Sequence, residues 1–191
     1  MPNNMLIFLR HAKTKVDGTI KNSEWELTEN GKKDALNLSN LELLIDVDII
    51  ITSDEDKTYY TSLPLSKKLG KEILRDKNLN EIMRDNGKFL ESEDYLKTIK
   101  LCMEHRDKSF NNWETAKNAI ERFLKKIEEI DEKYNNKKIL IVAHGVVINL
   151  YFATMIGRLN NVYDRAMSNT FCDYGIIKDG KIIKDIAKTL E

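Results

Sequence analysis

The sequence predicts an α/β fold: a three-layer sandwich with a mostly parallel central sheet, an antiparallel edge strand and helices on both faces. Three short, continuous apolar runs, Met5–Leu9, Asp48–Thr52 and Lys138–Ala143, have the signature of strands buried on both faces. Helical patterns lie between them, and strands that alternate with helices imply a parallel, helix-covered sheet. Near the end, two apolar runs flank Asp179-Gly180, a hairpin signal that adds an antiparallel strand.

Taken in order, Met5–Leu9 is the first strand. The stretch Leu27-Thr28-Glu29-Asn30 opens a helix with Thr28 as candidate cap, since a threonine oxygen can accept from a free N–H of the first turn. Ala35, Leu36, Leu38, Leu41 and Leu44 continue it at mostly three- and four-residue spacing. After the strand at Asp48–Thr52, residues Asp56–Leu69 form a second helix in which Pro64 predicts a kink or break. Residues 83–110 are polar and weakly periodic; they read as an insertion over one end of the sheet, where lids and substrate loops sit. Trp113–Tyr134 is the clearest helix, with Trp113, Ala116, Ile120, Phe123, Leu124, Ile127 and Ile130 on one face. Lys138–Ala143 leads past Gly145 into a helix over Val146–Ile156 that ends near Gly157. Phe171–Ile177 and Ile182–Ile186 close the chain as a hairpin. With no repeat, low-complexity tract or linker, residues 1–191 read as a single domain, with 83–110 as its lid or substrate loop.

Composition narrows the function. The 191 residues carry 31 Lys+Arg and 31 Asp+Glu, a net charge of zero. That balance lacks the basic surplus that displaces phosphate counterions, so no nucleic-acid partner is expected. Cys102 and Cys172 form no CxxC and describe neither a disulfide framework nor a zinc site, which suits a reducing compartment. No stretch approaches the ~20 apolar residues of a membrane span, and the first apolar run is too short for a signal peptide. A cytoplasmic protein with no membrane partner is the expectation. The sequence carries no readable oligomerisation signal, and a homodimer stays open. The eight glycines spell no GxGxxG. Gly175, Gly180 and Lys181 have the spacing of a phosphate loop, but Ile182 stands where Ser or Thr is required and the segment continues as a strand. No cofactor is expected.

In an open parallel sheet, ligands bind beyond the carboxyl ends of the strands. The first strand runs directly into Arg10-His11-Ala12 and the last long apolar strand into His144-Gly145. A lone histidine after a strand is more often structural. Two of them at one end of a sheet, one preceded by arginine, point to a site. His105 has no partner at useful spacing and reads as a surface residue. The residues lack the clustering that holds a metal, so no metal ligand is expected. Imidazole beside guanidinium suits an anion instead. Arginine offers a planar fork to phosphate oxygens, and the helix after Gly145 adds backbone donors at its N-terminus. A histidine in that setting can act as a nucleophile if its other ring nitrogen donates to a fixed acceptor.

The segments Leu9–Thr14, Leu27–Ala35 and Ala143-His144-Gly145 resemble blocks of the histidine phosphatase superfamily, also called phosphoglycerate-mutase-like. Ser53 with Thr61 is similar to its serine-x-x-x-arginine-x-x-x-threonine segment, and Leu79-Asn80-Glu81 to the leucine-x-glutamate that supplies a proton donor. Trp113-Glu114-Thr115 resembles the step before its long helix, and Asn169 stands where an asparagine often precedes the final strands. These blocks run in order over residues 5–177. The resemblance implies the phosphatase branch and a set of roles. His11 attacks phosphorus in line; Glu81 protonates the leaving oxygen and later helps activate water. Arg10 and His144 donate to the equatorial oxygens, with Thr14 and Gly145 among the phosphate contacts.

Three positions depart from the family pattern. Lys57 replaces a second phosphate-binding arginine, keeping the charge but losing the fork. Either phosphate is held more weakly, or Lys57 points away and another cation fills in, with Arg84, otherwise a surface residue, as first candidate. Asp17 replaces a frequent asparagine and would repel the anion unless turned away or paired. Ala12 replaces a common glycine. The expected function is a metal-independent phosphomonoesterase acting on a small phosphorylated metabolite. Phosphoglycerate mutase, an activity whose family members are generally longer than this chain, is the alternative; a phospho-ligand-binding module without turnover is the third reading. Phe89, Tyr95 and Phe110 either line a substrate pocket or pack under the insertion.

Overall fold

Strands β1 (Met5–Arg10), β2 (Ile49–Thr52), β3 (Ile73–Arg75), β4 (Lys138–Ala143), β5 (Tyr174–Lys178) and β6 (Lys181–Lys184) form one sheet in the order β3-β2-β4-β1-β5-β6. The coordinates are a computed structural model in which residues 3–188 are described, so both ends of the 1–191 span expected as one domain lie outside the described residues. The four strands β3, β2, β4 and β1 are parallel, while β5 and β6 are antiparallel and extend the β1 edge. The mostly parallel α/β sandwich is therefore present, with two antiparallel edge strands.

Side chains of a strand alternate between faces, and here each set meets its own helical layer. Ile7 and Leu9 of β1, with Leu140 and Val142 of β4, pack against Leu38 of α1 (Glu29–Leu38) and Leu65 of α2 (Asp56–Leu69). Leu6, Phe8, Ile139 and Ile141 point the other way. They pack with Phe123 and Ile127 of α4 (Ala116–Lys133), Val147 and Phe152 of α5 (Gly145–Met155) and Ala166 of α6 (Val162–Met167). Burial on both faces explains why β1 and β4 read as unbroken apolar runs.

Thr28 caps α1, its Oγ1 accepting from Gly31 N at 3.0 Å. That helix stops at Leu38; Leu44 is buried instead from a short 3₁₀ turn, Glu42–Leu44. Pro64 does not break α2, which runs on to Leu69 and ends at Gly70 in the left-handed conformation. Two buried residues flank the proline, Thr61 and Leu65, and hold the turn it weakens. The long helix begins at Ala116 rather than Trp113, because Thr115 caps it by accepting from Asn118 N at 3.1 Å. Segment 83–110 contains helix α3 (Ser92–Glu104), with Ile99, Cys102 and Met103 in the core. Exposed Leu96 and Leu101 blur its apolar stripe and hide it from periodicity. At the hairpin, Asp179 and Gly180 both take positive φ, 51° and 71°, as a two-residue turn matched to strand twist requires.

Candidate active site

Parallel pairing of β1 with β4 sets Arg10 opposite Ala143, so the next residues, His11 and His144, emerge side by side. His11 N donates to Ala143 O at 3.1 Å. The ring centroids lie 5.2 Å apart at an interplanar angle of 62°. His11 Nδ1 lies 2.8 Å from the Ala12 carbonyl, which can only accept, so Nδ1 carries the hydrogen and Nε2 the lone pair. Ala12 N in turn donates to Thr61 Oγ1 at 2.9 Å, and Thr61 donates to Lys57 O at 2.7 Å, which ties the loop to α2. His11 is 8% exposed. Burial, then the neighbouring His144 and Lys57, push its pKa well below the usual imidazole value, so the ring is neutral at neutral pH.

His144, 1% exposed, places Nε2 at 2.8 Å from Ser53 Oγ at the end of β2. Burial, then Lys57 and Arg84, hold it neutral as well, with its pKa well below the usual value. Its Nδ1 and Arg10 Nε are buried without a partner among the described residues. Buried polar groups are rarely left so, because each gives up its hydration. Arg10 is held by Nη1 to Asn169 O at 3.0 Å and by stacking on Phe171 at 4.6 Å. A Cβ on Gly145 would lie 3.1 Å from the Arg10 Cζ, so glycine at this position lets the guanidinium rest on the start of α5. Asn149 secures that turn by donating to Gly145 O at 2.8 Å, and also meets Asn169 Oδ1.

The Glu81 carboxylate also lies at the start of α5, accepting from Val146 N at 3.0 Å, Val147 N at 3.2 Å and Ile82 N at 3.1 Å. Arg122 of α4 holds the loop that carries it. The guanidinium spans both Glu114 carboxylate oxygens at 2.8 Å and donates to the carbonyls of Asn78, Asn80 and Glu81 at 2.8–2.9 Å. Nothing in the sequence singles out Arg122, since an arginine on the polar face of an amphipathic helix carries no signal of its own.

Lys57 lies inside the site, but not as a free cation. Its Nζ donates to Glu55 Oε2 at 2.5 Å and to Asn22 O at 2.6 Å, beneath the Trp25 ring at 5.7 Å. Glu55, which the sequence reading passed over, accepts from Glu81 N at 3.0 Å through Oε1, and that oxygen lies 3.4 Å from His144 Nε2. Burial alone would raise the Glu55 pKa, but Lys57 and Arg84 hold it below the usual carboxylate value. Arg84 is not a surface residue: it is half-buried, donates to the Tyr95 hydroxyl at 2.7 Å and stacks on Tyr95 and Trp113 at 5.4 and 5.8 Å. Thr14 is buried and bridges Leu27 through its backbone. Asp17 is turned away, accepting from Thr19 N at 2.9 Å and Thr19 Oγ1 at 2.5 Å. His105 is exposed.

A cleft of about 540 Å³ is bordered by Asn22, Glu55, Glu81 and Arg84; the histidines do not line it, and Glu55 on its border lies 3.4 Å from His144 Nε2. A second hollow of about 230 Å³ shares Asn22, Arg84 and Asp85 with it and is walled by Trp25, Phe89, Tyr95 and Trp113. Phe89 and Tyr95 thus face a pocket, and Tyr95 and Phe110 pack against the core. Among the described residues, no group of three or more His, Cys, Asp or Glu is arranged to hold a metal ion, and no helix is long and apolar enough to cross a membrane.

Two neutral imidazoles and a guanidinium gather beyond the ends of a mostly parallel sheet, the place where ligands of an α/β fold bind. The sequence pattern of the histidine phosphatase superfamily (branch 1) matches residues 6–177, and the chain belongs to that family. It is 24% identical over 169 residues to phosphoserine phosphatase 1 of Hydrogenobacter thermophilus, covering 80% of this chain and 76% of that protein. Among solved structures it is similar to a mycobacterial glucosyl-3-phosphoglycerate phosphatase, with a TM-score of 0.79, 16% identity and coverage of 96% of this chain and 99% of that one. It is likewise similar to a phosphoserine phosphatase mutant of Entamoeba histolytica in complex with phosphoserine, with a TM-score of 0.74, 18% identity and coverage of 95% and 94%. The protein is an enzyme of the histidine phosphatase type.

Proposed function

We propose that the protein is a metal-independent phosphomonoesterase that hydrolyses a small phosphorylated metabolite through a phosphohistidine on His11. One observation carries the reading: His11 is buried, neutral and fixed as the Nδ1–H tautomer beside His144, with the Nε2 lone pair available. In the first half-reaction Nε2 attacks phosphorus, the ester P–O bond breaks, and Glu81, entering this step as the protonated acid, gives the leaving oxygen its proton. In the second, water attacks the phosphohistidine, Glu81 takes a proton from it, and His11 departs with its lone pair restored. The unpartnered Arg10 Nε–H and His144 Nδ1 fit the phosphoryl oxygens, where charge must be held during transfer. Ser53 is compatible with that role for His144, because its hydroxyl can donate to Nε2 in the tautomer that carries the hydrogen on Nδ1. The names of two relatives make phosphoserine the first metabolite to assay.

The test is hydrolysis of an aryl phosphate and of phosphoserine with chelator present. The expected result is turnover that His11→Ala abolishes, together with an acid-labile phosphoryl group trapped on the native enzyme. Interconversion of phosphoglycerates without phosphate release would overturn the hydrolase reading in favour of a mutase. Phosphate binding with no trapped intermediate would favour a silent module.

A further inference from the structure

We propose that Glu55 is an internal competitor of the phosphoryl group: its carboxylate occupies Lys57 and lies beside His144 in the resting enzyme, and so sets how tightly phosphate is held. This rests on the reading of the site as a phosphatase centre. Lys57 is 1% exposed and Glu55 6% exposed, so the pair is screened from water. An ammonium so deeply buried needs a resident anion, because an uncompensated buried charge is strongly unfavourable. The Glu55 carboxylate meets that need, with Oε2 at 2.5 Å from Lys57 Nζ.

The same carboxylate is aimed at the site by its other oxygen, which is fixed by Glu81 N at 3.0 Å and reaches to 3.4 Å from His144 Nε2. Of the three N–H bonds of Lys57, one goes to Glu55 and one to Asn22 O, which leaves a single donor for a ligand. An incoming phosphate therefore meets a lysine whose charge is largely neutralised and a neighbouring charge of its own sign. The charged groups facing Glu55 are Lys57 and Arg84, with Glu81 on the adjoining loop. The consequence for turnover is directional. Glu55 weakens the hold on both substrate and inorganic phosphate and speeds departure of the product.

The experiment compares wild type with Glu55→Gln, which removes the charge and keeps one acceptor oxygen, enough for Lys57 Nζ or for Glu81 N but not for both. Inorganic phosphate binding is measured by titration calorimetry, and product inhibition during aryl phosphate hydrolysis is measured in parallel. Like charges about 5 Å apart at an effective dielectric near 20 repel enough for phosphate to bind at least about tenfold more tightly to the variant. KM is expected to fall in step. The phosphate-free variant should melt lower than wild type and regain more on adding phosphate, because phosphate then becomes the counter-ion of Lys57. Glu55→Asp retains the charge but draws it back from Lys57 and should bind phosphate with intermediate affinity; it carries the test if Glu55→Gln does not fold. Phosphate binding unchanged or weakened in folded variants would overturn the proposal. Calorimetry needs no turnover, so a dead enzyme that still binds phosphate more tightly as Glu55→Gln sinks the phosphatase reading alone. Normal turnover with unaltered phosphate affinity sinks the role of Glu55 alone.

Discussion

Replacing Arg122 by methionine keeps a long side chain at that position and deletes five hydrogen bonds at once. All five span 2.8–2.9 Å; three go to carbonyls of the turn that presents Glu81, and two go to the Glu114 carboxylate. Charge-assisted bonds taken singly contribute roughly 1.5–3 kcal/mol, but such values do not add within one guanidinium. Breaking a fully buried ion pair costs about 3–5 kcal/mol. Arg122 is 20% exposed and its partner Glu114 11%, so water recovers part of that loss and about 3 kcal/mol is the working figure. For a chain of this size that lowers Tm by about 6–12 °C. The catalytic consequence is separable. Once Nη2 releases the Glu81 carbonyl, the carboxylate loses its fixed approach, and a displacement near 1 Å is worth about 100-fold. A fall in kcat of about 10- to 100-fold with little change in KM is therefore expected. Thermal melting and steady-state hydrolysis of an aryl phosphate read the two effects, and Arg122→Lys should rescue little, since one ammonium cannot span a carboxylate and three carbonyls. A variant melting within about 2 °C of wild type with unaltered kcat would refute the positioning argument.

Acidification should destabilise the fold through its two buried imidazoles. Both are held neutral with pKa values well below the usual one, so as pH falls below about 6.5 the unfolded chain takes up protons that the folded chain refuses. Their stabilisation is complete above about pH 6.5 and is lost below it at up to about 1.4 kcal/mol per histidine per pH unit; melting curves from pH 7.5 to 5 read the slope, which His11→Asn should reduce, and a flat profile would contradict neutral burial. Gly31→Ala should lower stability by about 1–3 kcal/mol despite alanine's better helix propensity. Its Cβ would come within 2.2 Å of Lys13 O, the carbonyl that also accepts from Thr28 N at 2.9 Å, so α1 must back away from the loop carrying His11; a higher Tm would show that the loop yields freely.

Legibility in the sequence tracks how local the determining physics is. β1, β4 and the face of α4 were readable because burial on both faces of a sheet, or on one stripe of a helix, imposes a pattern on contiguous residues. His11 and His144 were readable because strand ends are marked by the end of an apolar run. β3 was not: it has three residues, two of them exposed, and takes its strand character from its pairing with β2. Helix α3 was missed because its buried positions are interleaved with exposed leucines. Arg122 and Glu55 were missed for a different reason. Their importance comes from long-range partners, Asn78 to Glu81 in one case and Glu81 with His144 in the other, and no spacing rule connects them.

The departures at Lys57 and Glu55 are easier to understand together than singly. An arginine at position 57 would bring a delocalised, weakly hydrated cation that can wait in an empty pocket and grip two phosphate oxygens. A lysine in the same pocket concentrates its charge on one nitrogen, which is costlier to bury, and Glu55 two residues earlier meets that cost at 2.5 Å. Removing Glu55 alone leaves an ammonium waiting for phosphate; removing Lys57 alone leaves a carboxylate in an anion site, which is the worse of the two for catalysis. The Lys57→Met change should therefore impair phosphate binding more beside Glu55→Gln, where Lys57 is free to serve phosphate, than in the native background, where Glu55 occupies it. That asymmetry is what a compensated pair entails and what two independent substitutions would not produce.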